Sequence, residues 1–172
     1  MKSRKIIIGL ALVGFCVSLA VNVAFAASKE EIKAVVTRVQ KAVALIQSQG
    51  EFCYPQLVDP NGEFVDGSDY VFIFSLKEAH KGTVTLHIKQ GMIGKSLMGL
   101  KEPGTNRKFA QDFVLIAESP EGKGWTQYQW SRPDKRQIDT KATYIMKVPG
   151  QQLAVGSGIY GVTKEEAEAV MK

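Results

Sequence analysis

An α/β fold of the α+β kind, with about five antiparallel strands in one sheet and a long N-terminal helix laid on one face, is predicted by three observations. Between Gly124 and Tyr160 stand three runs rich in aromatic and β-branched residues, each closed by Gly, Pro or Asp clusters, which marks consecutive antiparallel strands. Upstream, the apolar run Tyr70 to Leu76 precedes the alternating stretch Thr83 to Ile88, a second strand pair. Near the start, Ile32, Val35, Val36, Val39, Ala42, Val43 and Ile46 recur at helical spacing. That stripe needs an apolar partner, and the sheet is the only surface large enough. Loops and short helices are left to cover the other face.

The chain of 172 residues opens on Met1, Lys2, Ser3, Arg4 and Lys5, continues through Ile6 to Ala20 with almost no polar residue, and reaches Ala24-Phe25-Ala26. A basic start, an apolar stretch and a small-x-small ending predict a signal peptide over residues 1–26, cleaved after Ala26, and an exported domain over 27–172. A retained N-terminal membrane anchor is the alternative, although the apolar stretch is near the lower length limit for a span. Loss of Lys2, Arg4 and Lys5 takes three from the net charge of +5 and leaves +2, too mild to imply nucleic acid. Cys16 falls in the leader, and the bulky Phe15 before it argues against a lipoprotein cysteine. Cys53 then has no intrachain partner. It reads as a semi-buried thiol, with an intermolecular disulfide as the alternative.

Ser28-Lys-Glu-Glu31 fits a capping box that starts the helix, and Gly50 stops it; Lys33, Arg38 and Lys41 fall outside the apolar stripe. Glu51 to Asp69 is rich in turn residues. Asp59, Asn61 and Glu63 have a calcium-loop spacing, but Phe64 stands where that loop requires Gly. In Thr83 to Ile88 the expected alternation sets Val84, Leu86 and Ile88 on one side and Thr83, Thr85 and His87 on the other, with His87 turned away from the helix. The segment Gln90 to Phe109 is too long and too Gly-rich for a hairpin link; Met92, Ile93, Leu97, Met98 and Leu100 give it apolar atoms to pack with, as expected of a lid or binding loop. Phe109 to Glu118 reads as a short helix, and Thr163-Lys-Glu-Glu166 is a second capping box opening a terminal helix.

No catalytic, cofactor or metal constellation emerges, so no enzyme is expected. Gly156 to Gly161 is a literal G-x-G-x-x-G, but the ribose-binding acid expected about twenty residues on has no place in the eleven residues that follow. His80 and His87 are too few for a metal site, and nothing in the sequence brings Cys53 to His87. What remains is a set of donors. Tyr128 and Trp130 share one strand face, together with Thr126, next to Arg132 and Lys141; that face is either the wall of a pocket for a small anion or an ordinary packed sheet face. With His87 and Tyr144 these residues suit a carboxylate held by charge-assisted hydrogen bonds. Strand parity sends Lys141 and Tyr144 to opposite faces unless the strand bends or begins after Lys141.

Gly124-Trp125, Tyr128-x-Trp130, Pro133, Lys141-x-x-Tyr144 and Gly156-x-Gly158-x-Tyr160, with Tyr70 to Phe74, His87, Gly94-Lys95 and Phe109 upstream, resemble the single Cache domain, an extracytoplasmic sensing module of bacterial chemoreceptors and histidine kinases. The resemblance covers most of the chain from about Asp69 to Gly161 and implies a PAS-like fold. It also implies a short-chain carboxylate ligand such as acetate, propionate or pyruvate, carried onto His87, Tyr128, Trp130, Lys141 and Tyr144. Ile88, Ser131 and Glu102-Pro-Gly depart from the family pattern. A free-standing domain is expected, with no output module of its own and a membrane receptor, chemoreceptor or histidine kinase, as partner. The other class left open is a structural or interaction protein whose cavity is filled by its own side chains.

Overall fold

The structure, a computed structural model, describes residues 27–132 and 137–172. The predicted leader, Pro133 and the start of the polar turn predicted from Asp134 lie outside the described residues. The helix α1 runs Lys29–Gln49. Its capping box forms as expected: the Ser28 hydroxyl accepts from the Glu31 amide at 3.2 Å, and the Glu31 carboxylate accepts from the Ser28 amide at 2.6 Å. All seven residues of the apolar stripe are buried. Each such aliphatic side chain larger than Ala contributes on the order of 1.5–3 kcal/mol relative to exposure. Arg38, expected outside the stripe, is buried as well, because it sits where α1 meets the sheet.

The region expected as turns holds more structure than that. A 3-10 turn over Gly50–Cys53 leads into α2, Tyr54–Leu57, and β1, Val65–Asp66, pairs with β2, Asp69–Ser75. Next come β3, Val84–Leu86, then α3, Ala110–Glu118, and the three aromatic strands β4, Lys123–Ser131, β5, Ile138–Lys147, and β6, Leu153–Tyr160. The second capping box opens α4, Lys164–Val170. The sheet has six strands, all antiparallel, ordered β1-β2-β6-β5-β4 with β3 also on β2. This is the PAS-like arrangement expected, with one strand more.

Two apolar layers sandwich this sheet. On one side α1 lies across β6, β5 and β2, with Val71, Ile73, Trp125, Tyr144 and Val155 beneath it. On the other, α3 and the loop between β3 and α3 cover Phe72, Phe74, Tyr128, Ile145 and Ala154. The alternation expected of β3 is broken: the register slips by one residue between Ile73 and Phe74, so Val84 joins the α3 layer while Leu86 joins the α1 layer. Cys53 is buried, and its thiol donates to the Gly50 carbonyl, which removes the exposure an intermolecular disulfide needs. Among the described residues no helix is long and apolar enough to cross a membrane.

Candidate ligand-binding site

The cross-strand register builds the site. On the α3 side of the sheet Tyr128, Lys141 and Tyr160 form one row across β4, β5 and β6; Thr126, Thr143 and Gly158 form the next, and Gly124, Ile145 and Gly156 the third. Two glycines hold this face open. A Cβ on Gly158 would stand 2.4 Å from the Lys141 Cε and 2.5 Å from the Thr143 Oγ1, and one on Gly156 would stand 2.4 Å from the Phe72 ring. Their lack of side chains lets Lys141 and Phe72 lie across β6.

The result is a hollow of about 50 Å3 between sheet and lid, lined by Tyr70, Phe72, His87, Phe109, Phe113, Tyr128, Trp130 and Lys141, with Met92, Leu97 and Leu100 from the loop above. Aromatic contacts fix its walls. Phe109 stacks on Tyr128 with centroids 4.0 Å apart and lies 5.2 Å from Trp130, while Phe113 meets Phe72 at 5.8 Å. At the polar end the Lys141 ammonium lies 4.6 Å from the Tyr160 ring and 5.1 Å from that of Tyr70, close enough for cation–π attraction. It makes no ion pair or hydrogen bond with the described residues. Burial drives its pKa down to about 8, against the opposing pull of Asp69.

His87 sits edge-on to Tyr70, with centroids 4.9 Å apart. Its Nδ1 accepts from the Lys89 amide at 2.9 Å, which assigns the proton of the neutral ring to Nε2 and makes that nitrogen a donor. Burial, with the Lys141 and Lys89 charges behind it, lowers the His87 pKa to about 4, so the ring is neutral at physiological pH. The Tyr128 hydroxyl is 3.0 Å from the Thr143 hydroxyl, and burial pushes its pKa well above the ordinary phenol value. A buried ammonium, an imidazole N–H and phenol hydroxyls thus stand around a small apolar space, a donor set whose chemistry suits one negative charge. Two larger crevices exist, of about 600 and 390 Å3, but their lysines are exposed. Among the described residues no group of three His, Cys, Asp or Glu side chains could hold a metal.

Residues 56–168 match the family model of the Cache domain. The chain belongs to the Cache domain family. Cache domains are extracytoplasmic sensory modules and not a class of enzyme. A sensor histidine kinase of Rhizobium johnstonii, MctS, is 27% identical over 92 residues, 53% of this chain. The match spans 18% of that kinase's length. Among solved structures, a periplasmic sensor domain of a chemotaxis protein superposes with a TM-score of 0.55 at 19% identity, covering 77% of this chain and 91% of that one. A Cache chemosensory domain studied for carboxylic acid recognition gives 0.51 at 20% identity, covering 77% and 87%. Both likenesses concern the fold.

Within this Cache domain the hollow gathers four of the six expected residues: His87, Tyr128, Trp130 and Lys141. Tyr144 is corrected. The strand β5 is regular from Ile138 onward, so three residues' separation puts Tyr144 on the α1 side, where its ring lies 5.2 Å from that of Trp125. Arg132 does not line the hollow either. Its guanidinium bonds the Asp139 carboxylate at 3.3 Å and stands 5.0 Å from the Tyr160 ring, the same ring that Lys141 touches. Tyr70, Phe72, Phe109 and Phe113 were not anticipated as site residues. The signal for the first two is the alternation of Tyr70 and Phe72 with Val71 and Ile73, hidden because every residue of that run is apolar.

Proposed function

We propose that this Cache domain, exported as residues 27–172 after loss of the leader 1–26, reversibly binds a short-chain carboxylate in the hollow. It then passes occupancy to a membrane signalling partner of the chemoreceptor or histidine kinase type. The observation that carries this reading is Lys141: a buried ammonium without an ion-pair partner among the described residues, facing an apolar space sized for a few atoms. A buried charge is costly unless matched, and an entering carboxylate supplies the match. The His87 Nε2–H and the phenols of Tyr70 and Tyr128 are the neutral donors beside it. The carboxylic acid recognition of the structural relative, and the sensor kinase among the sequence relatives, support the ligand class and the partner class.

The small size of the hollow favours a second reading, in which side chains alone fill it and the domain serves in structure or interaction. Isothermal titration of protein freed of co-purified ligand, against two- to four-carbon carboxylates, separates the two. Saturable heat with at least one of them is expected, and it disappears in Lys141→Met. Silence across the panel favours the filled-cavity account.

A further inference from the structure

The lining of the hollow is more selective than a single positive charge requires. Apart from Lys141, His87, the two phenols and the Trp130 indole, every lining group is a hydrocarbon ring, an aliphatic chain or a thioether, and no Asp, Glu, Asn, Gln, Ser or Thr lines it. Asp69, the acid that acts electrostatically on Lys141, precedes Tyr70 on β2, so the pleat turns it away from the face where Tyr70 and Phe72 stand. Phe72 lines the hollow two rows along the sheet from Lys141, with its ring 6.4 Å from that of His87. The Phe72 ring occupies the space left by Gly156 and abuts Phe113, whereas Lys141 pairs with Tyr160, four residues further along β6.

We propose that Phe72, seated over Gly156, is the residue that limits ligand length, and that the acid-free lining makes the hollow refuse amino acids and dicarboxylates. The proposal rests on the carboxylate reading above and narrows it to monocarboxylates whose short tails carry no second charge. A hollow of about 50 Å3 holds about four water-sized groups, the size of acetate or propionate. The ammonium of an amino acid placed there finds no acceptor charge, and the second carboxylate of a diacid finds no second buried cation. Each loses at least about a hundredfold in affinity, the scale of an unpaired buried charge. A methylene too many meets the Phe72 ring and loses about tenfold or more.

Titrating the ligand-free chain with acetate, propionate, butyrate, hexanoate, succinate and alanine reads both parts. Wild type is expected to bind acetate or propionate, to bind butyrate more weakly and to give no heat with hexanoate, succinate or alanine. In Phe72→Leu the preferred length moves up by one to three carbons, while Leu115→Ala, on the exposed side of α3 and away from the hollow, leaves it unchanged. Should Phe72→Leu fail to fold by circular dichroism, Phe72→Met preserves more of the volume and reads the same shift. Hexanoate bound as tightly as acetate by wild type, binding of alanine or succinate, or an unchanged length preference in a folded Phe72 variant overturns the proposal while leaving the carboxylate reading standing. Absence of heat with every compound overturns both.

Discussion

Burial lowers the Lys141 ammonium from 10.5 to about 8, with Asp69 acting against the shift and Lys89 adding to it. Folding and the proposed carboxylate binding are therefore expected to respond to alkali in opposite directions. In the unfolded chain this amine keeps its proton up to pH 10.5, so between about pH 8 and 10.5 the unfolded state binds more protons and stability rises with pH. The gain is on the order of 3 kcal/mol over the window and is read as the difference between wild type and Lys141→Met in urea unfolding. A carboxylate needs the charged amine, so affinity is full below about pH 8 and falls toward tenfold per unit above it. His87, neutral down to about pH 4, contributes nothing to that decline. Titration calorimetry from pH 6.5 to 9.5 checks this, and an affinity that stays flat above pH 8 would remove Lys141 from the site.

One element, the loop between β3 and α3, closes the hollow, and a single acid ties it down. The buried Glu102 carboxylate accepts from the Gln129 amide at 2.6 Å, the Thr105 hydroxyl at 2.7 Å and the Arg107 Nε at 3.2 Å. Arg107 in turn donates to Asp112 on α3 at 2.7 Å and to the Gln127 carbonyl. The loop thereby supplies partners that the edge strand β4 lacks. Glu102→Ala leaves an amide and a guanidinium nitrogen unpaired, at a cost of about 1–3 kcal/mol. Faster hydrogen exchange over residues 90–109 and at Gln129 is expected, with α1 and β6 still protected; unchanged exchange over 90–109 would show that the clasp does not hold the lid. The sequence marked this loop as a lid and Glu102 as a departure from the family pattern, but nothing in it pairs Glu102 with Gln129, twenty-seven residues away. Elements with a strong local signal were legible: α1 and α4 through their capping boxes, β4 to β6 through aromatic runs bounded by Gly and Pro. The two-residue β1, the four-residue α2 and the slipped register of β3 were not, since pairing across the chain decides them.

Across the whole molecule, which side of the sheet a residue faces decides its role; parity alone put Tyr128 and Trp130 on one shared face, and the packing of the layers makes that face the α3 side. Parity also set Lys141 and Tyr144 apart, a separation the family pattern overrode. Arg38 was missed for a different reason: a charged residue beside an apolar stripe normally reaches water, and whether it does depends on the neighbouring layer. Its Nε and Nη1 are buried without a hydrogen-bond partner, and Asp69, which acts on it electrostatically, forms no ion pair with it. Asp69 therefore feels two cations, Arg38 from the α1 layer and Lys141 on the α3 side, and burial still raises its pKa above the ordinary carboxylate value. Arg38→Met keeps the length and removes the unpaired N–H groups, so it should stabilise the fold by about 1–3 kcal/mol. Without Arg38 the ionised Asp69 costs more, and that cost disappears as the acid takes up its proton. The stabilisation should therefore be larger at pH 5 than at pH 7.5 in urea unfolding; a variant less stable than wild type at pH 5 would mean that the guanidinium contributes bonding that its surroundings do not account for.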